Sequence, residues 1–299
     1  HGSWGWGTGN QLGNLEFAVS TGEIFRKEIQ FPFFMHHLKG KQHELPEAMM
    51  FLTGINEFRR LDAWPPPSAA AKTFFLSGSG RLREEPAADL PGEYDEFVSD
   101  PERPVPYVNT IVRGMTSDYM TEDQRFAAQR PDVLVYRTEP LAEDLIVAGP
   151  IAVRLSVSTT GTDADFVVKL IDVYPDSYPT PEPAKNEGVR PVPMGGYQQL
   201  VRGEPFRGKY RNSSEHPEPF VPGAPTTISF EMPDVYHAFR KGHSIMVHIQ
   251  SSWFPLVDRN PRRFMEIPKA RKTDFQKATH RVYRSKDLPS TLTVLVEPR

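Results

Sequence analysis

The 299-residue sequence has no cysteine. That excludes a disulfide scaffold, thiolate catalysis and cysteine-ligated zinc. It leaves the compartment open, because a large core needs no disulfides. No apolar run approaches the ~18–20 residues of a membrane-spanning helix, so no membrane partner is expected. Net charge is only −3, from 35 Lys and Arg against 38 Asp and Glu. A basic face able to neutralise a phosphate backbone is missing, and nucleic acid is not an expected partner. No His-Glu-x-x-His or other paired-histidine spacing occurs. His36 and His37 are adjacent and point to different sides of a helix, so they read as helix-surface and core histidines, and neither a metal nor a cofactor is expected. The Gly-x-Ser-x-Gly elbow of a strand-turn-helix nucleophile is absent too. Ser77-Gly78-Ser79-Gly80 follows a strand without leading into a helix, and its expected role is a hairpin turn.

Proline, by contrast, is abundant: 30 residues, a tenth of the chain, against an ordinary usage of ~5%. Proline breaks helices and central strands, which argues against a helical bundle and for many short strands joined by long turns. With 38% hydrophobic residues and 19 Phe the chain can build a sizeable core, and its length suits about two domains. The opening His1-Gly2-Ser3-Trp4-Gly5-Trp6-Gly7 has no initiator Met and no charged-then-apolar leader, so it is not a signal peptide. The expectation is a chain entered in the middle, with an upstream part before it.

Residues 1–20, rich in Gly, Asn, Ser and Trp, predict a loop. Ser20 and Glu23 have capping-box spacing. Apolar residues at helical spacing then run to Gly40, a C′ glycine, with Pro32 interrupting, so residues 21–39 form one kinked helix or two abutting ones. The apolar run Ala48–Thr53 suits a strand buried on both faces, as in a parallel sheet. Trp64-Pro65-Pro66-Pro67 reads as a stiff linker, and the domain boundary is placed there: 1–67 and 68–299. Beyond it, strand-like segments recur at 73–76, 133–136, 151–157, 166–173, 226–230, 245–250, 281–283 and 291–296. The stretches from Ile151 and from Ile245 alternate with period two, so each should bury one face and solvate the other. The expected fold is a jelly-roll β-sandwich, mainly β, preceded by a helix and strand of α/β type. Residues 176–196 are a Pro-rich exposed excursion.

His216 and His237 are placed in loops, His243 and His248 at or within a strand, and His280 at a strand start; all read as hydrogen-bonded structural histidines. Asp163-Ala164-Asp165 and Asp258–Pro261 are acidic turns, read as Asx-bonded rather than calcium-binding. Trp4, Trp6, Trp64 and Trp253 are core or interface candidates, with sugar stacking as the alternative.

Several ordered stretches carry a resemblance. Asp132–Leu141, Gly149-Pro150, Thr162–Pro175, Phe206–Arg211, His237–His243 and Ser251–Pro261 resemble the C-terminal jelly-roll of the X-Pro dipeptidyl-peptidase and cocaine-esterase class of serine hydrolases. Met194–Tyr197 and Asp274–Tyr283 are most similar to the branch of α-amino acid ester hydrolases and glutaryl-7-aminocephalosporanic acid acylases. So are His1-Gly2, Leu12–Phe17 and Phe33-Phe34 with Leu38-Lys39-Gly40. The resemblance implies that His1 is the triad base and that residues 1–67 close an α/β-hydrolase domain. In that fold the chain order is Ser, Asp or Glu, then His, so the nucleophile and acid would be supplied by a missing N-terminal catalytic portion, and this chain alone would be inactive. Also implied are cleavage of acyl ester or amide bonds (α-amino acid esters, β-lactam side chains or X-Pro peptides), no cofactor, a homo-oligomer and a secreted or periplasmic location. The segment Met115–Met120, with Met115, Tyr119 and Met120, is the candidate substrate-binding wall. The alternative is a non-catalytic carbohydrate-binding or oligomerisation module.

Overall fold

The computed structural model describes residues 9–86, 93–180 and 192–298. A short hairpin, β1 (Gln11–Leu12) and β2 (Leu15–Glu16), turns at Gly13 and leads into a helical stretch. That stretch comprises α1 (Thr21–Ile24), a π-helical turn (Phe25–Gln30) and α2 (Phe31–Lys39). The helix continues through Pro32 because proline stands in the first turn of α2, after a π-bulge in which the usual bonding is already shifted. Gly40 adopts φ 64° and donates to His36 O, closing the helix as expected. Ser20 occupies the N-cap position without a side-chain cap bond, and Glu23 pairs with Lys27 instead of closing a box. His36 and His37 both lie exposed on α2, so neither is a core residue of this chain.

The run from Ala48 is a strand, β3 (Ala48–Leu52), but its partner is antiparallel: β4 (Glu57–Leu61) folds back on it as a two-stranded hairpin. Only Phe51 and Leu52 of β3 are fully buried, so the doubly buried parallel strand is corrected. Gly54, at φ +87°, allows the tight reversal that an apolar run alone does not reveal.

The rest is strand-rich: β5 (Ala70–Ser77), β6 (Arg81–Arg83), β7 (Tyr94–Ser99), a short α3 (Arg125–Ala128), β8 (Val133–Arg137), β9 (Leu145–Thr159), β10 (Asp165–Val173), β11 (Gln198–Arg207), β12 (Thr226–Phe239), β13 (Ser244–Gln250), β14 (Ala278–Tyr283) and β15 (Thr291–Val296). Ser77–Gly80 is the β5–β6 turn, as predicted. Strands β5 to β15 form one path, β11-β10-β13-β8-β6-β5-β15-β9-β14-β7, with β12 on the free side of β9. A single parallel pair, Arg81 with Arg137, joins its two halves. The halves face each other as a jelly-roll-type β-sandwich. Val153, Leu155 and Val157 of β9 meet Phe166, Val168 and Leu170 of β10 and Val247 and Ile249 of β13 in the main core. Burying each such side chain stabilises by about 1.5–3 kcal/mol.

β9 alternates buried and exposed from Ile151 to Leu155, as its pattern requires. β13 does not, because all seven of its residues are buried. Its second face, with Met246 and His248, is covered by Tyr107, Val108 and Trp253 in a separate cluster. Sequence alternation marks this face as polar, but it cannot show that a later loop folds over it. His237 lies on β12 rather than in a loop. Trp64 is no free linker residue: its ring meets Tyr236 edge-on at 5.2 Å and its Nε1 donates to Asp234 at 2.5 Å. Of the Pro-rich stretch, 181–191 lies outside the described residues.

Candidate functional site

His1 and residues 2–8 lie outside the described residues, but residues 12–17 are well anchored. The Thr121 hydroxyl, 1% exposed, donates to Leu12 O at 3.0 Å, and Tyr197 OH donates to Thr121 O at 3.0 Å. Leu12, Leu15, Phe17 and Phe51 form one apolar cluster with Met194, Tyr197 and the partly buried Met120. Phe17 and Phe51 meet edge-on at 6.2 Å. The fold therefore brings the segment that follows His1, the β3–β4 hairpin and residues 118–121 into one place.

Of the three candidate wall residues, the structure brings together two. Tyr119 packs its ring at 5.7 Å from both Tyr107 and Trp253. Tyr119 and Met120 line a cleft of about 510 Å³ with the edge strand β11 (Leu200–Pro205), Trp253, Leu256 and Val257. Such a volume suits a small molecule. Met115 is 71% exposed and is not among the residues lining that cleft. β11 and Trp253 were not singled out for this site from sequence. β11 is broken up by Arg202, Gly203, Glu204 and Pro205, which hide its strand character. Pro205 is tolerated because β11 is an edge strand. Gly203 is required by packing, since a Cβ there would stand 2.7 Å from Trp253 Cη2. Burial pushes Glu204 up and Arg202 down from their ordinary values.

Beneath Trp253 lies Lys169, fully buried, its Nζ 4.9 Å from the ring centroid and donating to Gln124 Oε1 at 2.8 Å. Burial pushes this ammonium down to about 7. The neighbouring His248 is pushed well below its usual value, by burial first and by Lys169 second.

A second buried polar cluster joins the sandwich to the hairpin. Asp172 of β10 accepts from His243 Nδ1 at 2.9 Å and from His237 Nε2 at 3.2 Å, and His237 Nδ1 lies 2.8 Å from Thr53 Oγ1. Burial alone would raise Asp172, but the bonds from His237 and His243 outweigh it and hold the carboxyl below its ordinary value. A third cluster surrounds the acidic turn. Asp163 accepts from the Ala164 N–H at 2.8 Å, and Asp165 accepts from Asn260 at 2.9 Å and pairs with Arg207 at 3.5 Å. Burial raises Asp165 to about 6. A wider depression of about 610 Å³, between Tyr210 and Phe264, adjoins this cluster. Its cations are already engaged, Arg207 with Asp258 and Lys209 with Met265 O at 3.0 Å.

Residues 40–293 match the X-Pro dipeptidyl-peptidase C-terminal non-catalytic domain, and the chain belongs to that family. It is 30% identical over 277 residues to the cocaine esterase of Rhodococcus sp., covering 89% of this chain and 45% of that protein. It is 28% identical over 250 residues to a putative serine esterase of Mycobacterium bovis, covering 76% and 35%. Among solved structures, an aminopeptidase from a marine sediment Thaumarchaeota archaeon superposes with TM-score 0.89 at 40% identity, covering 99% of this chain and 48% of that one. An α-amino acid ester hydrolase superposes with TM-score 0.89 at 39% identity, with the same coverages. The chain thus spans about half the length of these relatives or less, and those relatives are esterases and hydrolases.

Proposed function

We propose that this chain is the C-terminal portion of a serine hydrolase that cleaves ester or amide bonds, with His1 as the base of its triad. The match across 99% of this chain, at 39–40% identity, to an aminopeptidase and an α-amino acid ester hydrolase about twice as long carries this reading. In it, residues 1–67 belong with the catalytic half and 68–299 with the sandwich. The nucleophilic serine and the acid that orients His1 are supplied by the part of the protein that precedes His1. The serine oxygen bonds to the substrate carbonyl carbon while His1 takes the hydroxyl proton. His1 then returns the proton to the departing alcohol or amine as the carbonyl carbon–heteroatom bond breaks. Water repeats the two transfers and frees the acid.

The packing of residues 12–17 against 118–121 supports a place for Tyr119 and Met120 beside this centre, as a wall of the substrate cleft. Substrates of the class are α-amino acid esters, β-lactam side-chain amides or X-Pro peptides. The carbohydrate-binding alternative needs an exposed indole; among the described residues Trp253 is 3% exposed and Trp64 is hydrogen-bonded to Asp234, while Trp4 and Trp6 lie outside the described residues. A fluorophosphonate probe tests the proposal on the full-length protein. One serine upstream of His1 should be labelled, and His1→Ala should abolish the labelling. A full-length protein that takes no label would overturn it.

A further inference from the structure

We propose that His237 is a positioning residue whose ring bridges Asp172 and Thr53, Nε2–H donating to the carboxylate and Nδ1 accepting from the Thr53 hydroxyl, and so fixes the hairpin against which residues 12–17 lean. The activity part of this inference rests on the hydrolase reading above; the hydrogen-bond assignment does not.

The accounting starts at Thr53. Its hydroxyl has one proton and two neighbours, Tyr236 O at 3.0 Å and His237 Nδ1 at 2.8 Å. Tyr236 O already accepts the Thr53 backbone N–H at 3.1 Å, so the hydroxyl proton goes to the nearer partner, and His237 Nδ1 accepts it. On the other side of the ring, Nε2 faces Asp172 Oδ2 at 3.2 Å. The carboxylate only accepts, so Nε2 carries the ring's proton and donates it to Asp172. Both ring nitrogens of His237 are then engaged, one with each element. His243, immediately before β13, donates its Nδ1–H to the other carboxylate oxygen at 2.9 Å. The remaining face of the His237 ring is closed by Phe239 at 4.7 Å. The pair is fully enclosed, with His237 at 0% exposure and Asp172 at 1%, where removing either partner is most costly.

What the pair holds is the hairpin. Thr53 follows β3 directly, and its backbone joins β12 by Thr53 N–H to Tyr236 O at 3.1 Å and Ala238 N–H to Thr53 O at 2.9 Å. At Gly54 a Cβ would lie 2.2 Å from Ala238 O, so the hairpin tip sits directly on β12. Phe51, two residues before Thr53, packs with Phe17 and Leu15, and Phe58 of β4 packs against the same cluster. A continuous line of contacts therefore runs from Asp172 through His237, Thr53 and Phe51 to the residues that follow His1.

The full-length protein tests this with two readouts. In nitrogen-15 NMR of labelled histidine, the His237 signals, assigned by their loss in His237→Gln, should show a proton on Nε2 and none on Nδ1. A proton on Nδ1 overturns the assignment. Thr53→Val and Thr53→Ser are then compared by hydrogen exchange and ester turnover. Thr53→Val should speed amide exchange in 11–17 together with 48–58 and lower kcat about tenfold, with KM changed less than about twofold. Thr53→Ser should restore both. Faster exchange confined to 48–58, or an unchanged kcat per folded Thr53→Val molecule, overturns the positioning role. A wild-type protein without turnover would fail the hydrolase reading instead, and the exchange pattern would still decide the coupling.

Discussion

Thr121 and Leu12 are joined by a side-chain to backbone hydrogen bond of 3.0 Å, with Gly13 turning so closely above that a Cβ would stand 2.9 Å from the Thr121 hydroxyl. This contact ties the strand pair that follows His1 to the sandwich. Thr121→Val keeps the shape and removes the donor, leaving a carbonyl without its partner, at a cost of about 1–3 kcal/mol. The expected result is a lower denaturation midpoint and a reduced ester kcat/KM in the full-length protein. Gly13→Ala should show the same direction, since it adds strain at φ +57°.

Asp172→Asn should destabilise by about 3–5 kcal/mol, the range for breaking a buried pair from one side. The sign of the pH effect follows from the direction of the shift. The folded carboxyl sits below its unfolded value of 3.8, so its stabilisation is present above pH 3.8 and is lost as pH falls through the folded value. Urea midpoints measured downward from neutral pH should converge for wild type and variant in that acid window.

Lys169 gives a slope of the same sign at the alkaline end. Its folded value of about 7 is below the unfolded 10.5. Between them the unfolded chain binds more protons, so stability rises with pH from about 7 to 10.5, and below 7 the burial cost is present in full. The gain is on the order of a few kcal/mol. Lys169→Met should remove this rise. Equal slopes for wild type and Lys169→Met would contradict the buried, desolvated ammonium.

Gly203→Ala should push the Trp253 ring out of place, because the new methyl overlaps it at 2.7 Å. Overpacking of this kind costs about 1–3 kcal/mol. The readouts are a shift in tryptophan emission and a rise in KM for ester substrates, while a change at neither would show that the cleft does not depend on this contact.

Much of the sandwich was legible because its strands are apolar runs bounded by Pro, Gly and Asp, and the eight predicted segments all fall within observed strands. β11 escaped because an edge strand tolerates Pro205 and charged residues that a central strand would not. The alternation of β13 shows the strand but not its second buried face, since the cover over His248 comes from Tyr107 and Trp253, distant in sequence. The apolar run of β3 suggests a parallel crossover, but Gly54 reverses the chain into an antiparallel hairpin. Tyr119 and Met120 were legible as a candidate wall only through resemblance. The Asp172–His237–Thr53 line is not legible in the sequence: Asp172 and His237 stand in the resembling stretches 162–175 and 237–243, but nothing in their spacing joins them to each other or to Thr53.

Hydrolysis of p-nitrophenyl esters is the most direct test of the central claim that the triad is divided between His1 and the part of the protein before it. The isolated 299-residue chain should be no more active than an unrelated protein, the full-length protein should turn over, and His1→Ala should abolish that turnover. Hydrolysis by the isolated chain, or an active His1→Ala full-length protein, would contradict it.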